Sequence, residues 1–192
     1  MTNVTEGAGG LMGINDTDAL TTLSLTNMTD NSLVVQGVTA GERTLTLNLN
    51  AFSDATVTDS EATGLVINST GAGAGNDEDG ELVAAAAVVA AKAESVSIAV
   101  TDTDAALDLD VATATALTVS GDASLTITDT DIAALETVTV SGSAGINVDL
   151  SSAAITNLNL SATSGDNTIS DFDATTAEVA VTGGTGADDI TV

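Results

Sequence analysis

Ala116-Leu117-Thr118-Val119-Ser120-Gly121 and Thr137-Val138-Thr139-Val140-Ser141-Gly142 are two copies of one phrase. Polar and apolar residues alternate along each, the period-2 pattern of a strand with one buried face. Six looser copies begin at Thr22, Thr44, Gly64, Ser95, Asn157 and Glu178. Aligned on their starts, the copies give a first inward column of Leu23, Leu45, Leu65, Val96, Leu117, Val138, Leu158 and Val179. A second column holds Leu25, Leu47, Ile67, Ile98, Val119, Val140, Leu160 and Val181. Every position in both columns is aliphatic. The alternate positions are Thr, Ser, Asn or small, with Val66 and Glu178 as the extremes.

Successive starts lie 22, 20, 31, 21, 21, 20 and 21 residues apart. A period near that value marks a solenoid, in which each repeat forms one coil and buries its apolar side only against its neighbours. The expected fold is therefore all-β: a right-handed parallel β-helix of about eight coils with a 20–22-residue repeat, its coils pairing strand to strand about 4.8 Å apart. A second strand is legible in most coils, at Leu33-Val34-Val35, Leu107-Asp108-Leu109, Leu125-Thr126-Ile127, Ile146-Asn147-Val148 and Ile190-Thr191-Val192. In the coil from Thr44, Phe52 and Val57 are the expected inward residues. Residues 1–21 read as an N-terminal arm or an imperfect first coil, and 22–192 as a single solenoid domain.

The 31-residue interval breaks the period. It holds a Gly- and acid-rich stretch over 71–80 and then Glu81-Leu82-Val83-Ala84-Ala85-Ala86-Ala87-Val88-Val89-Ala90-Ala91-Lys92. Ala is the strongest helix former, Asp79 is a suitable N-cap, and Glu81 and Lys92 suit the helix dipole. The stretch near 79–93 thus predicts a short helical insertion.

Composition narrows the function. The 192 residues carry 28 acids against two cations, Arg43 and Lys92, for a formal charge of −26. Phosphate backbones need basic partners, so nucleic acid is excluded. The longest apolar run, Leu82 to Ala91, is too short to span a bilayer, so no membrane insertion is expected. With neither Cys nor His, disulfides, His-assisted nucleophiles and zinc held by Cys or His are all ruled out. Paired carboxylates alone could hydrolyse a glycoside. Yet Phe52 and Phe172 are the only aromatic residues, so nothing offers a sugar platform. The chain is read as a non-enzyme, and its lack of rings suits a narrow solenoid interior.

What remains is hard-cation chemistry, which needs carboxylate and carbonyl oxygens. Asp59, Asp108, Asp110, Asp129, Asp131, Asp149, Asp171 and Asp173 fall at similar offsets within their coils. Stacking would set them in a ladder where like charges repel, and a bridging Ca²⁺ would reverse the sign of that term. The sharpest local motif is Gly183-Gly184-Thr185-Gly186-Ala187-Asp188-Asp189-Ile190-Thr191, which fits G-G-x-G-x-D-x-U-x at every specified position. A degenerate copy, Ser164-Gly165-Asp166-Asn167-Thr168-Ile169, has Asn167 where the Asp belongs. Gly73-Ala74-Gly75-Asn76-Asp77 has the loop without the apolar residue after it.

With its Thr-, Ala- and Asp-rich coils of the LTVSG type and its terminal GGTGADDIT, the chain resembles the RTX-type S-layer proteins of Gram-negative bacteria. That resemblance implies a calcium-dependent β-solenoid on the cell surface, secreted without a cleaved N-terminal signal. It assigns ion-ligand roles to Gly183, Gly184, Gly186 and Asp188, and to Gly165 and Asn167. Its expected partners are further copies of itself, head to tail or in a lattice, and cell-surface polysaccharide. A repeat or stalk segment of a large secreted RTX-type adhesin is the alternative. Alternation that persists through Ile190-Thr191-Val192, and the apolar Leu11, Met12 and Ile14, suggest that one copy's last coil meets the next copy's first.

Overall fold

In the computed structural model, residues 2–5, 11–15, 18–29, 32–36, 42–73, 86–151, 153–170 and 179–191 are described. Odd-numbered strands form sheet A: β1 (Thr2–Thr5), β3 (Thr22–Thr29), β5 (Thr44–Ser53), β7 (Gly64–Thr70), β9 (Ser95–Val100), β11 (Ala116–Gly121), β13 (Thr137–Gly142), β15 (Asn157–Thr163) and β17 (Ala180–Thr182). Even-numbered strands form sheet B: β2 (Leu11–Asn15), β4 (Ser32–Gln36), β6 (Thr56–Asp59), β8 (Ala86–Val89), β10 (Ala105–Asp110), β12 (Leu125–Asp131), β14 (Ile146–Asp149), β16 (Asn167–Ser170) and β18 (Asp188–Ile190). All pairings are parallel, and each strand lies beside its counterpart in the next coil. The chain is an all-β parallel solenoid with two strands per coil. Its coil number is close to the eight expected, and β1 and β2 join the two sheets as a coil.

Aliphatic side chains from both sheets meet in the interior. The two columns read from the sequence are buried along the stack, apart from half-buried Val179 and exposed Val181. Phe52 and Val57 point inward as expected. Sheet B contributes Leu33, Val57, Val88, Leu107 and Ile127 to the same core. Each of several coils then turns through a bend closed by an i to i+3 hydrogen bond, as at Ala93 to Ala90, Ala114 to Val111, Leu135 to Ile132 and Ala153 to Leu150.

Register departs from the sequence alignment at two places. Leu23 stands beside Leu47 rather than Leu45, and Leu25 beside Leu49. Likewise Leu158 stands beside Val181 rather than Val179. Both slips are of two residues. A strand shifted by two keeps the same face inward, so the hydrophobic pattern cannot distinguish the registers.

The expected helix is not present where the residues are described. Ala86–Val89 is strand β8, hydrogen-bonded between β6 and β10, and Ala90 to Ala93 form the turn that other coils also make. Residues 79–85 of the expected helix lie outside the described residues. Ala's helix preference is worth only tenths of a kcal/mol per residue over its rivals, and ladders on both sides outweigh it. Ala86, Val88 and Ala90 face the core in strand alternation.

Close stacking at one corner demands glycine. Gly121 and Gly142 have φ of 126° and 86°. A Cβ on Gly121 would lie 1.9 Å from the Val100 carbonyl oxygen, and one on Gly142 would lie 2.3 Å from that of Gly121. The terminal glycine of the LTVSG phrase is thus the point where one coil's backbone rests on the next.

Candidate functional site

The acidic ladder forms between two strands. Asp108 stands beside Asp129 and Asp110 beside Asp131, because a register shift between Leu107 and Asp108 skips one residue of β12. On the other side of β10 the partners are Ala87 and Val89. The pairing of β12 with β14 runs through Leu125–Ile146 and Thr126–Asn147. Asp149 lies opposite Ser170. Its exposed carboxylate accepts the Ser151 N–H at 2.8 Å. That backbone bond, with help from the Ser151 side chain, holds the Asp149 carboxyl below its ordinary pKa. Asp171 and Asp173 lie outside the described residues.

Asp59 does something else. It is opposite Val35, on the inward side of sheet B, and is 1% exposed. Arg43 Nη2 donates to both of its oxygens, at 2.7 and 2.6 Å. Asp59 Oδ1 also accepts the N–H groups of Glu61 and Ala62, each at 2.9 Å. Arg43 Nη1 donates to the Leu20 carbonyl at 3.0 Å, tying the preceding coil into the network. Thr63, Glu94, Thr115, Glu136 and Thr156 continue Arg43's column up the corner: the N–H of each donates to the carbonyl below it. Arg43 carries its charge where the others are hydroxyl or acid. Sequence reasoning placed Asp59 in an outward cation ladder and gave Arg43 no role. The available signal was that Arg43 is one of only two cations in so acidic a chain.

Within the 183–191 motif, half-buried Asp188 lies on an inward column. Asn167 and Asp188 are neighbours in register, on the column that Ile146 occupies one coil earlier. Asn167, 1% exposed, accepts the Ile146 N–H through Oδ1 at 3.2 Å and donates from Nδ2 to Asp188 Oδ1 at 2.6 Å and to the Gly165 carbonyl at 3.1 Å. Asp188 Oδ2 accepts the Gly184 N–H at 3.0 Å. The two residues that the motif marks as ligands are therefore brought together, and both carboxylate oxygens of Asp188 accept protein N–H groups. Gly186 lies against the Gly165 carbonyl, where a Cβ would come within 2.1 Å. Gly183 is exposed. Among the described residues, no group of three or more acidic side chains converges in a way that would hold a metal ion.

Corner acids share this habit of bonding to the backbone of the adjacent coil. Asp122 accepts the Asp102 N–H, Asp104 the Ser124 N–H, and Asp166 the Ala187 N–H, at 2.8 to 3.0 Å. At corners the strand ladder is interrupted and N–H groups need other acceptors, which short Asp side chains supply. No helix among the described residues is long and apolar enough to cross a membrane. Compared with protein-family models, curated proteins and solved structures, the chain matches none.

Proposed function

We propose that this chain is an extracellular structural protein, a β-solenoid that stacks with further copies into a surface layer or filament and is stabilised by calcium. The observation that carries the proposal is the in-register placement of Asp110 beside Asp131, with Asp108 and Asp129 also neighbours in the backbone register, on an otherwise continuous parallel stack. Carboxylates one coil apart repel, and the whole chain carries −26. A divalent cation shared between coils relieves that repulsion within one copy and between copies. Calcium enters here as a counter-ion on the coil surface, because the Asp188 carboxylate already accepts two protein N–H groups. Among the described residues, the outermost strands of each sheet have one hydrogen-bonded neighbour apiece, so a further coil would continue both ladders.

The test is thermal melting and light scattering during a calcium titration. A ligand that binds only the folded state adds about 2.7 kcal/mol at a hundredfold excess over its dissociation constant. The melting temperature is expected to rise in millimolar calcium, less in magnesium, and to fall in chelator, with particle size following reversibly. Asp110→Asn with Asp131→Asn should reduce the calcium response by removing the repulsion it answers. Identical curves in calcium and chelator, with a constant monomer, would overturn the reading.

A further inference from the structure

We propose that the outward face of sheet A is the surface through which two copies of this chain pair side by side. The inference rests on the assembly reading above and adds a lateral contact to the end-to-end one. Its basis is a segregation of charge. No strand of sheet A contains an acid or a base: the nine segments run from TNVT through TLTLNLNAFS, ALTVSG and TVTVSG to AVT. Sheet B holds Asp59, Asp108, Asp110, Asp131, Asp149 and Asp188 among others. In a chain of net charge −26, a two-sheet solenoid with acids scattered over its surface would not leave one whole sheet neutral.

The neutral face is also ordered and shallow. Its outward residues are small: Thr46, Asn48, Ser97, Ala99, Thr139 and Ser141 are all half-buried by their neighbours. Amides tie coils together across it. Asn68 Nδ2 donates to Asn48 Oδ1 at 2.8 Å, Asn48 Nδ2 to Ser24 Oγ at 3.1 Å, and Asn50 Nδ2 to Thr70 Oγ1 at 2.8 Å. Side chains already fixed by such bonds lose little entropy on contact. Short side chains on two flat sheets can interdigitate at a spacing of about 10 Å.

Area and electrostatics both select a second copy as the occupant. From β3 to β17 the face spans about 34 Å across the strands and about 18 Å along them. A face-to-face pair would bury roughly 1,200 Å² in total, the lower edge of what stable interfaces bury. A side-by-side approach through sheet B instead sets Asp against Asp. On the neutral face the nearest acids stand at the two rims, Glu42, Glu94 and Glu136 at the corner that opens sheet A and Asp54 and Asp122 at the corner that closes it. Rim repulsion is screened within about 8 Å at physiological salt. Pairing should therefore strengthen as salt rises, the opposite of contacts driven by opposite charges.

The experiment is sedimentation of the whole chain over a range of concentration and salt, with and without calcium. Three proteins are compared: the parent, Thr118→Glu at the centre of the face, and Asn147→Glu on sheet B. Thr118 and Asn147 are both exposed. Circular dichroism and melting check that each variant is folded. We expect the parent to pair more tightly at higher salt, and Thr118→Glu to weaken pairing by about tenfold or more through an uncompensated charge in the contact. Asn147→Glu should leave it unchanged. Parent assembly in calcium that ignores Thr118→Glu would overturn this inference and leave the assembly reading standing. A parent that stays monomeric throughout would overturn both. Retention of a monomeric parent on an insoluble neutral glucan, lost in Thr118→Glu, would assign the face to polysaccharide and overturn pairing.

Discussion

Asp59 is an acid on which several bonds converge. Its two oxygens take four hydrogen bonds from three residues, and the Arg43 guanidinium is buried with it. Removing one member of such a pair leaves an uncompensated charge, which costs about 3–5 kcal/mol. Asp59→Ala should therefore lower stability by that amount in urea unfolding. Asp59→Asn should cost about 1–2 kcal/mol less than Asp59→Ala, because its amide oxygen still accepts from Glu61 and Ala62. Equal losses would show that those two bonds contribute nothing. Asp149 makes the contrasting case. Its ordinary pKa of 3.8 is lowered in the folded chain by the Ser151 bonds. The stability it contributes is present above that ordinary value and is lost as pH falls through the lower, folded value. Stability measured between neutral pH and about pH 3 should fall less steeply in Asp149→Ala than in the parent over that acid window.

Strand alternation was legible in the sequence because the columns are aliphatic in coil after coil, and the inward and outward sides of each strand follow from it. Leu117 is buried between Val96 and Val138, while its neighbour Thr118 is exposed. Leu117→Asp should cost more than about 4 kcal/mol or abolish folding, because it buries an unpaired carboxylate. Thr118→Asp should cost less than about 1 kcal/mol. Comparable melting temperatures for the two would invert the assignment. Two features of the elements were not legible. The alanine-rich run carries no β-branched residue before Val88 apart from Val83, so local preference pointed to helix, and only its neighbours β6 and β10 make it a strand. The two-residue slips at β3 and β17 conserve the inward face, so no pattern of apolar residues could reveal them.

At the scale of the whole molecule, the described acids include three kinds that sequence offsets could not separate. Some stack outward, as Asp110 on Asp131. Some cap corner N–H groups, as Asp104 and Asp122. Two, Asp59 and Asp188, replace aliphatic residues inside and are matched there by Arg43 and by Asn167. Offset within a coil fixes the neighbourhood of a side chain, but one step along a strand exchanges core for solvent. The motif at 183–191 was recognisable from its glycines, which serve as close-contact points between coils. The direction in which Asp188 turns depends on Asn167, a full coil earlier.

Because each strand bonds only to its counterparts one coil away, load applied to the two termini meets a series of similar latches. Coils should detach singly from the ends, and each released turn of 20 to 24 residues should add about 65–80 Å of contour length. The turn linking β7 to β9 is longer: Gly64 pairs with Ser95 across 31 residues. Its release should appear once in each optical-trap record as a step of about 100 Å among shorter ones, marking the position of the fourth coil from the N-terminal side like an inked division on a tape measure.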